Sequence, residues 1–187
     1  MVLPYIGSVR WDRLFDDLEA QLSARDRLEL DAEIAERTRL ERAKVTLGER
    51  ILGAHGRDLA ARLRGGTTVR GELVDSGDGW MLFVEPGDRQ VLVSLPAVLG
   101  LSGLGRPRDD ARARRFGIGS ALRGISRDRR TVVVTDIDGG VVHGTVDAVG
   151  ADSFAVTEHP LDTPRRTEHI RGERMVPFAA LAAVAGT

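Results

Sequence analysis

Near the N-terminus, apolar residues recur at three- and four-residue spacing: Trp11, Leu14, Phe15, Leu18 and Leu22. That spacing places them on one side of a helix. From Trp11 to about Leu52 there is no proline, and no glycine before Gly48, while Leu, Glu, Arg and Ala dominate. The pattern predicts one long helix with Ser8 as its N-cap. Between Arg25 and Lys44 most positions are charged, with Glu33 four residues ahead of Arg37, so the middle of this helix reads as solvated. A further apolar set, Leu40, Ala43, Leu47 and Ile51, either docks the helix end on the first β unit or continues a coiled-coil seam.

After Gly53 and Gly56 the period changes from that of a helix to that of strands. Leu59, Ala61 and Leu63 alternate with polar neighbours, and Gly65-Gly66 supplies a turn. Strands are predicted over 69–74, 80–84 and 91–93, with a short one from Pro96 to Leu101. Ser76-Gly77-Asp78-Gly79 and Pro86-Gly87-Asp88 separate them as turns.

The second half repeats this order. Leu59-Ala60-Ala61 matches Val132-Val133-Val134, Gly65-Gly66 matches Asp138-Gly139, and Gly71-Glu72-Leu73 matches Gly144-Thr145-Val146. Trp80 and Leu82 match Phe154 and Val156, and Val93–Val98 matches Val176–Leu181. The second copy carries a longer Pro- and Arg-containing loop between Glu158 and Arg174. Gly71 and Gly144, inside strands, remove a side chain where a bent sheet must curl. Residues 111–127 read as a short helix between the copies, with Phe116, Ile118, Leu122 and Ile125 as its apolar face.

Composition narrows the chemistry. A chain of 187 residues with 42% hydrophobic content can bury a core. It has no cysteine, which removes disulfides, thiolate nucleophiles and cysteine-based zinc sites and fits a cytoplasmic setting. No stretch is apolar enough to span a bilayer, and residues 1–9 lack the basic and apolar regions of a signal peptide. The formal net charge is −1, yet residues 106–130 hold nine arginines against three aspartates. Lys44 is the lone lysine, so the arginine bias reflects either a GC-rich genome or a need for bidentate contacts.

With the turns in place, the second copy resembles a known pattern. Asp138-Gly139, Gly144-Thr145-Val146, Val149-Gly150-Ala151-Asp152, Phe154 and Val176-Pro177-Phe178 are similar to the Sm-like (LSm/Hfq-type) SH3-like barrel. The first copy resembles it more loosely. With the long helix (1–56) and the arginine-rich linker helix (106–130) read from the pattern, the resemblance implies a mainly β protein with two tandem small barrels (57–105 and 131–187). It also implies an oligomer that binds RNA more than DNA in a regulatory role. Two positions depart from the family: Ser153 stands where its asparagine is expected, and Pro177-Phe178 replaces its basic last turn. The Trp11-Asp12-Arg13-Leu14-Phe15 opening is also similar to actinobacterial proteins, some labelled Fis-family transcriptional regulators, although the C-terminus offers no helix-turn-helix pair.

The pattern singles out two candidate sites. Arg112, Arg114, Arg115, Arg123, Arg127, Arg129 and Arg130 are candidate phosphate contacts, and the competing reading is a solvated linker whose arginines balance acidic surface. Trp11, Leu14, Phe15, Leu18 and Leu22 are candidate anchors for a protein partner or for self-association, in which case the chain is an adaptor or scaffold assembling through its helix. No nucleophile, base and orienter can be named, so the reading is non-enzymatic, without cofactor, metal or small-molecule substrate. Asp136-Ile137-Asp138-Gly139 reads as a hairpin turn rather than a calcium loop. His55, His143, His159 and His169 lack zinc-site spacing and read as incidental.

Overall fold

The computed structural model describes residues 8–105, 114–161 and 169–187. The chain divides into two compact units after Thr46. The first contains α1 (Ser8–Lys44), 37 residues and therefore about 55 Å long. Its charged middle is laced by short-range ion pairs: Arg25 to Glu29 at 3.1 Å, Arg39 to Glu36 at 3.4 Å and Lys44 to Glu41 at 2.8 Å. Each is solvent-exposed and contributes a few tenths of a kcal/mol. The helix does not run unbroken to Leu52, as the sequence pattern predicts. It stops at Lys44, and α2 (Leu47–Leu52) starts separately. Val45 and Thr46, both β-branched, are poor helix formers, and Thr46 stands where an N-cap is favoured.

The second unit opens with α2, whose Ile51 is buried. Its first strands are β1 (Asp58–Leu63), β2 (Thr68–Asp78), β3 (Trp80–Glu85), β4 (Arg89–Ser94), β5 (Val98–Ser102) and β6 (Arg114–Gly117). Then come α3 (Ile118–Asp128), β7 (Thr131–Asp136), β8 (Val141–Val149), β9 (Ser153–Glu158), β10 (Gly172–Pro177) and β11 (Leu181–Gly186). Residues 106–113 lie outside the described residues, and the inter-copy helix starts later than its apolar pattern suggests, because 114–117 pair as a strand.

All eleven strands belong to one sheet, in the order β10-β9-β8-β7-β11-β4-β3-β2-β1-β5, with β6 attached in parallel to the far end of β2. Every other pairing is antiparallel. Two tandem Sm-like, SH3-like barrels, expected from the resemblance, are therefore not the fold. The first and last strands pair in each copy, β1 with β5 and β7 with β11, so closing a barrel needs the fourth strand of a copy to meet its fifth. Here β4 pairs with β11 of the other copy while β5 pairs with β1, so the strands continue from copy to copy as one open sheet.

The repeat itself persists in the hydrogen-bond register. Leu59 lies opposite Gly71 as Val132 lies opposite Gly144, and Ala61 opposite Leu101 as Val134 opposite Val184. Met81 opposite Val93 corresponds to Phe154 opposite Val176. This last pair shifts the sequence alignment by one residue. Phe154 corresponds to Met81, and Trp80 corresponds to Ser153. In a strand one residue changes the face. Met81 accordingly packs in the first of two apolar clusters and Trp80 in the second.

The two clusters interlock across the β4–β11 seam. Ala182, Ala183 and Ala185 of β11 belong to the first cluster, with Leu63, Leu73, Phe83 and Val93. Trp80 and Leu92 of the first copy belong to the second, with Leu122, Phe154, Val156 and Val184. Small alanines let β11 lie close to its neighbours, and exchange of side chains between clusters makes the sheet one body rather than two. The glycines in mid-strand allow close backbone crossing: a Cβ on Gly71 would collide with the Val84 carbonyl oxygen, and one on Gly144 with that of Thr157. The turn after β7 is the expected hairpin. Asp136 Oδ1 accepts from the Asp138 and Gly140 amides at 2.9 and 2.8 Å, and Gly139 takes φ 90°.

Candidate interaction site

Along α1, Leu14, Phe15, Leu18 and Leu22 are 46, 58, 45 and 61% exposed. Their spacing places them within one strip of helix surface. Trp11 falls on α1, and its side chain lies outside the described residues. Leu28, Leu30, Ile34 and Leu40, further along, are exposed as well. They do not continue a single strip, because the spacing from Leu22 to Leu30 and Leu40 departs from a heptad. Of the set expected to dock the helix end, Ile51 is buried in the first cluster, while Leu40 and Leu47 stay exposed.

The arginine segment does not act as one element. Arg112 lies outside the described residues, as does the side chain of Arg114, whose backbone is in β6. Arg115 is exposed on β6. Arg123 and Arg127 sit one turn apart on α3, and Arg123 Nη2 donates to the Gly150 carbonyl at 3.2 Å, holding α3 to the turn after β8. Arg129 occupies the left-handed C-cap of α3 (φ 49°), and Arg130 leads into β7. Both are exposed.

Two histidines that the sequence leaves as incidental are structural. His159, 2% exposed, bonds Thr145 Oγ1 through Nε2 at 2.8 Å and the Pro160 carbonyl through Nδ1 at 3.0 Å. With Nδ1 facing a carbonyl, that nitrogen carries the proton and Nε2 accepts from the threonine hydroxyl. Beside it, Thr157 donates to Asp147, whose backbone carbonyl accepts from Ser126 Oγ on α3 at 2.9 Å. His55 Nε2 meets Ser76 Oγ at 2.8 Å. No periodicity signals these pairs, because a lone histidine in a strand carries no spacing to read.

Among the described residues, no group of three or more His, Asp or Glu side chains is placed to hold a metal ion, and no helix is long and apolar enough to cross a membrane. A concavity of about 670 Å³ is lined by residues of β1 and β2, the end of β3 with its following turn, and Ser102-Gly103, and is rimmed by Asp58, Arg70, Glu72, Glu85 and Asp88.

No protein-family model and no curated protein matches the chain. The expectation of an Sm-like RNA-associated regulator rested on the barrel resemblance together with the arginine-rich 106–130 segment. With the open sheet it does not hold, and neither do the Sm-like and SH3-like descriptions.

Proposed function

We propose that the protein is a non-enzymatic scaffold in which α1 captures a helix of a partner protein while the sheet unit serves as the body it is carried on. The carrying observation is the exposure of four large apolar side chains, Leu14, Phe15, Leu18 and Leu22, within one strip of α1. Water against such a strip is unfavourable by about 25 cal/mol per Å² of apolar surface, so covering it is a driving force for association. The i, i+3/i+4 geometry fits another amphipathic helix, whose ridges seat between these side chains. Acidic Asp16, Asp17 and Glu19 between the anchors favour a partner helix with basic flanks.

A photo-crosslinking residue at Leu18 in the full chain tests this. The reading expects a discrete adduct with a partner polypeptide, lost when Leu14, Phe15 and Leu22 are changed together to Ser. Adducts unchanged by those substitutions would overturn it.

A further inference from the structure

Helix α3 has two unlike faces. Leu122 is buried, and Ile118, Ala121 and Ile125 pack with it on the second cluster. On the opposite side Ser120, Arg123, Gly124 and Arg127 follow at i, i+3, i+4 and i+7, and all four are exposed. Gly124 stands in mid-helix, where glycine disfavours the helical backbone. A Cβ there would meet nothing within 4 Å, so no neighbour in the chain calls for its missing side chain. The same region is strongly basic: residues 115–130 hold five arginines against one carboxylate, Asp128. Arg115, Arg127, Arg129 and Arg130 are exposed and, among the described residues, in no ion pair.

The strip on α1 has the opposite character. Residues 14–22 hold three carboxylates and no basic side chain. By helical spacing Glu19 borders the strip beside Phe15 and Leu22, and Asp17 borders it beside Leu14. Large apolar side chains on α1 thus match small residues on α3, and carboxylates on α1 match arginines on α3. Within one chain both surfaces stay exposed. The outer face of α3 is therefore a helix surface with basic flanks, uncovered, in the same molecule that carries the acidic strip.

We infer that α1 of one chain docks on the outer face of α3 of a second copy of this chain. The inference rests on the reading of α1 as a helix-capturing element and names the helix it captures. Phe15 and Leu18 seat over Ser120 and Gly124, where the absent Cβ lets the two helices approach closely. Glu19 comes within reach of Arg127. Such charge pairs at the rim select the partner and its orientation, while the covered apolar strip supplies the driving force. Arg123 Nη2 donates to the Gly150 carbonyl at 3.2 Å, which braces α3 on the sheet and leaves its outer face rigid. Because the two surfaces lie on different elements, the contact is heterologous, and each chain offers one surface of each kind.

A photo-crosslinking residue is placed at Ser120 of a full-length chain that also carries Leu14→Ser, Phe15→Ser, Leu18→Ser and Leu22→Ser, so that its own α1 has no strip to offer. Mixed with isotope-labelled wild-type chain, it is expected to give a two-chain adduct whose labelled peptide comes from the 14–22 strip of α1. The yield is expected to fall about tenfold or more when the labelled chain carries the four serines. The same fall is expected when the probe chain carries Gly124→Gln and Arg127→Glu with an unchanged circular dichroism spectrum. If that spectrum changes, Arg127→Glu alone takes their place under the same expectation. No two-chain adduct, one that maps elsewhere, or one that persists against the four serines overturns the inference. An adduct at Leu18 with a different polypeptide, and none at Ser120, overturns α3 as the captured helix and leaves the scaffold reading standing.

Discussion

Trp80 shows how much one position carries. Its indole Nε1 donates to the Phe116 carbonyl at 2.9 Å, and its ring stacks on that of Phe116 with centroids 5.4 Å apart, tying β3 to β6 and the start of α3. Trp80→Ala is expected to cost about 3–5 kcal/mol through the cavity it leaves. Trp80→Phe keeps apolar bulk but loses the donor, at about 1–2 kcal/mol. Urea unfolding should place the midpoints in the order wild type, Phe, Ala with an unchanged slope, and an alanine variant as stable as the phenylalanine one would refute this account of the residue. Gly144 is a different case. Its missing Cβ makes room for the Thr157 carbonyl, a backbone atom that cannot turn aside. Gly144→Ala is expected to destabilise by about 1–3 kcal/mol, and a neutral result would show that β8 and β9 separate without penalty.

Among the elements, the hairpin after β7 and the helix α1 respond in opposite ways. Asp136→Ala removes both side-chain bonds to the turn amides and is expected to lower the unfolding free energy by about 1–2 kcal/mol. The four-serine change on α1 is expected to leave the unfolding midpoint of the sheet within about 0.5 kcal/mol, since the side chains it removes are exposed. Calorimetry on both variants checks the contrast. Period-2 alternation in Leu59, Ala61 and Leu63 and the Asp-Gly turn made the strands legible in the sequence, and the repeated glycines made the two copies legible. The apolar strip of α1 was legible too, from spacing alone. What the sequence did not carry was the choice of neighbour for β4. Strand patterns specify which face is apolar, not which edge is taken, and β4 reads the same whether it meets β5 or β11. Nor could a pattern distinguish Trp80 from Met81 as the first-copy counterpart of Phe154, because both are large, apolar and buried on opposite faces.

For the whole molecule, the consequence of the seam is that the cores of the two copies depend on each other. Leu92 from the first copy sits in the second cluster and Ala182 from the second copy in the first. Leu92→Ala is thus expected to cost about 2–5 kcal/mol and to lower the stability of both copies in a single transition. The same seam separates an open sheet from paired barrels, and it is directly observable. In a dilute isotope-labelled sample, nuclear Overhauser contacts between the backbone protons of Leu92 and Val184, and of Val91 and Ala185, report the β4–β11 pairing. Those contacts are the expected result. Contacts from β4 to β5 and from β10 to β11 in their place would mean that each copy closes on itself, and would contradict the single sheet.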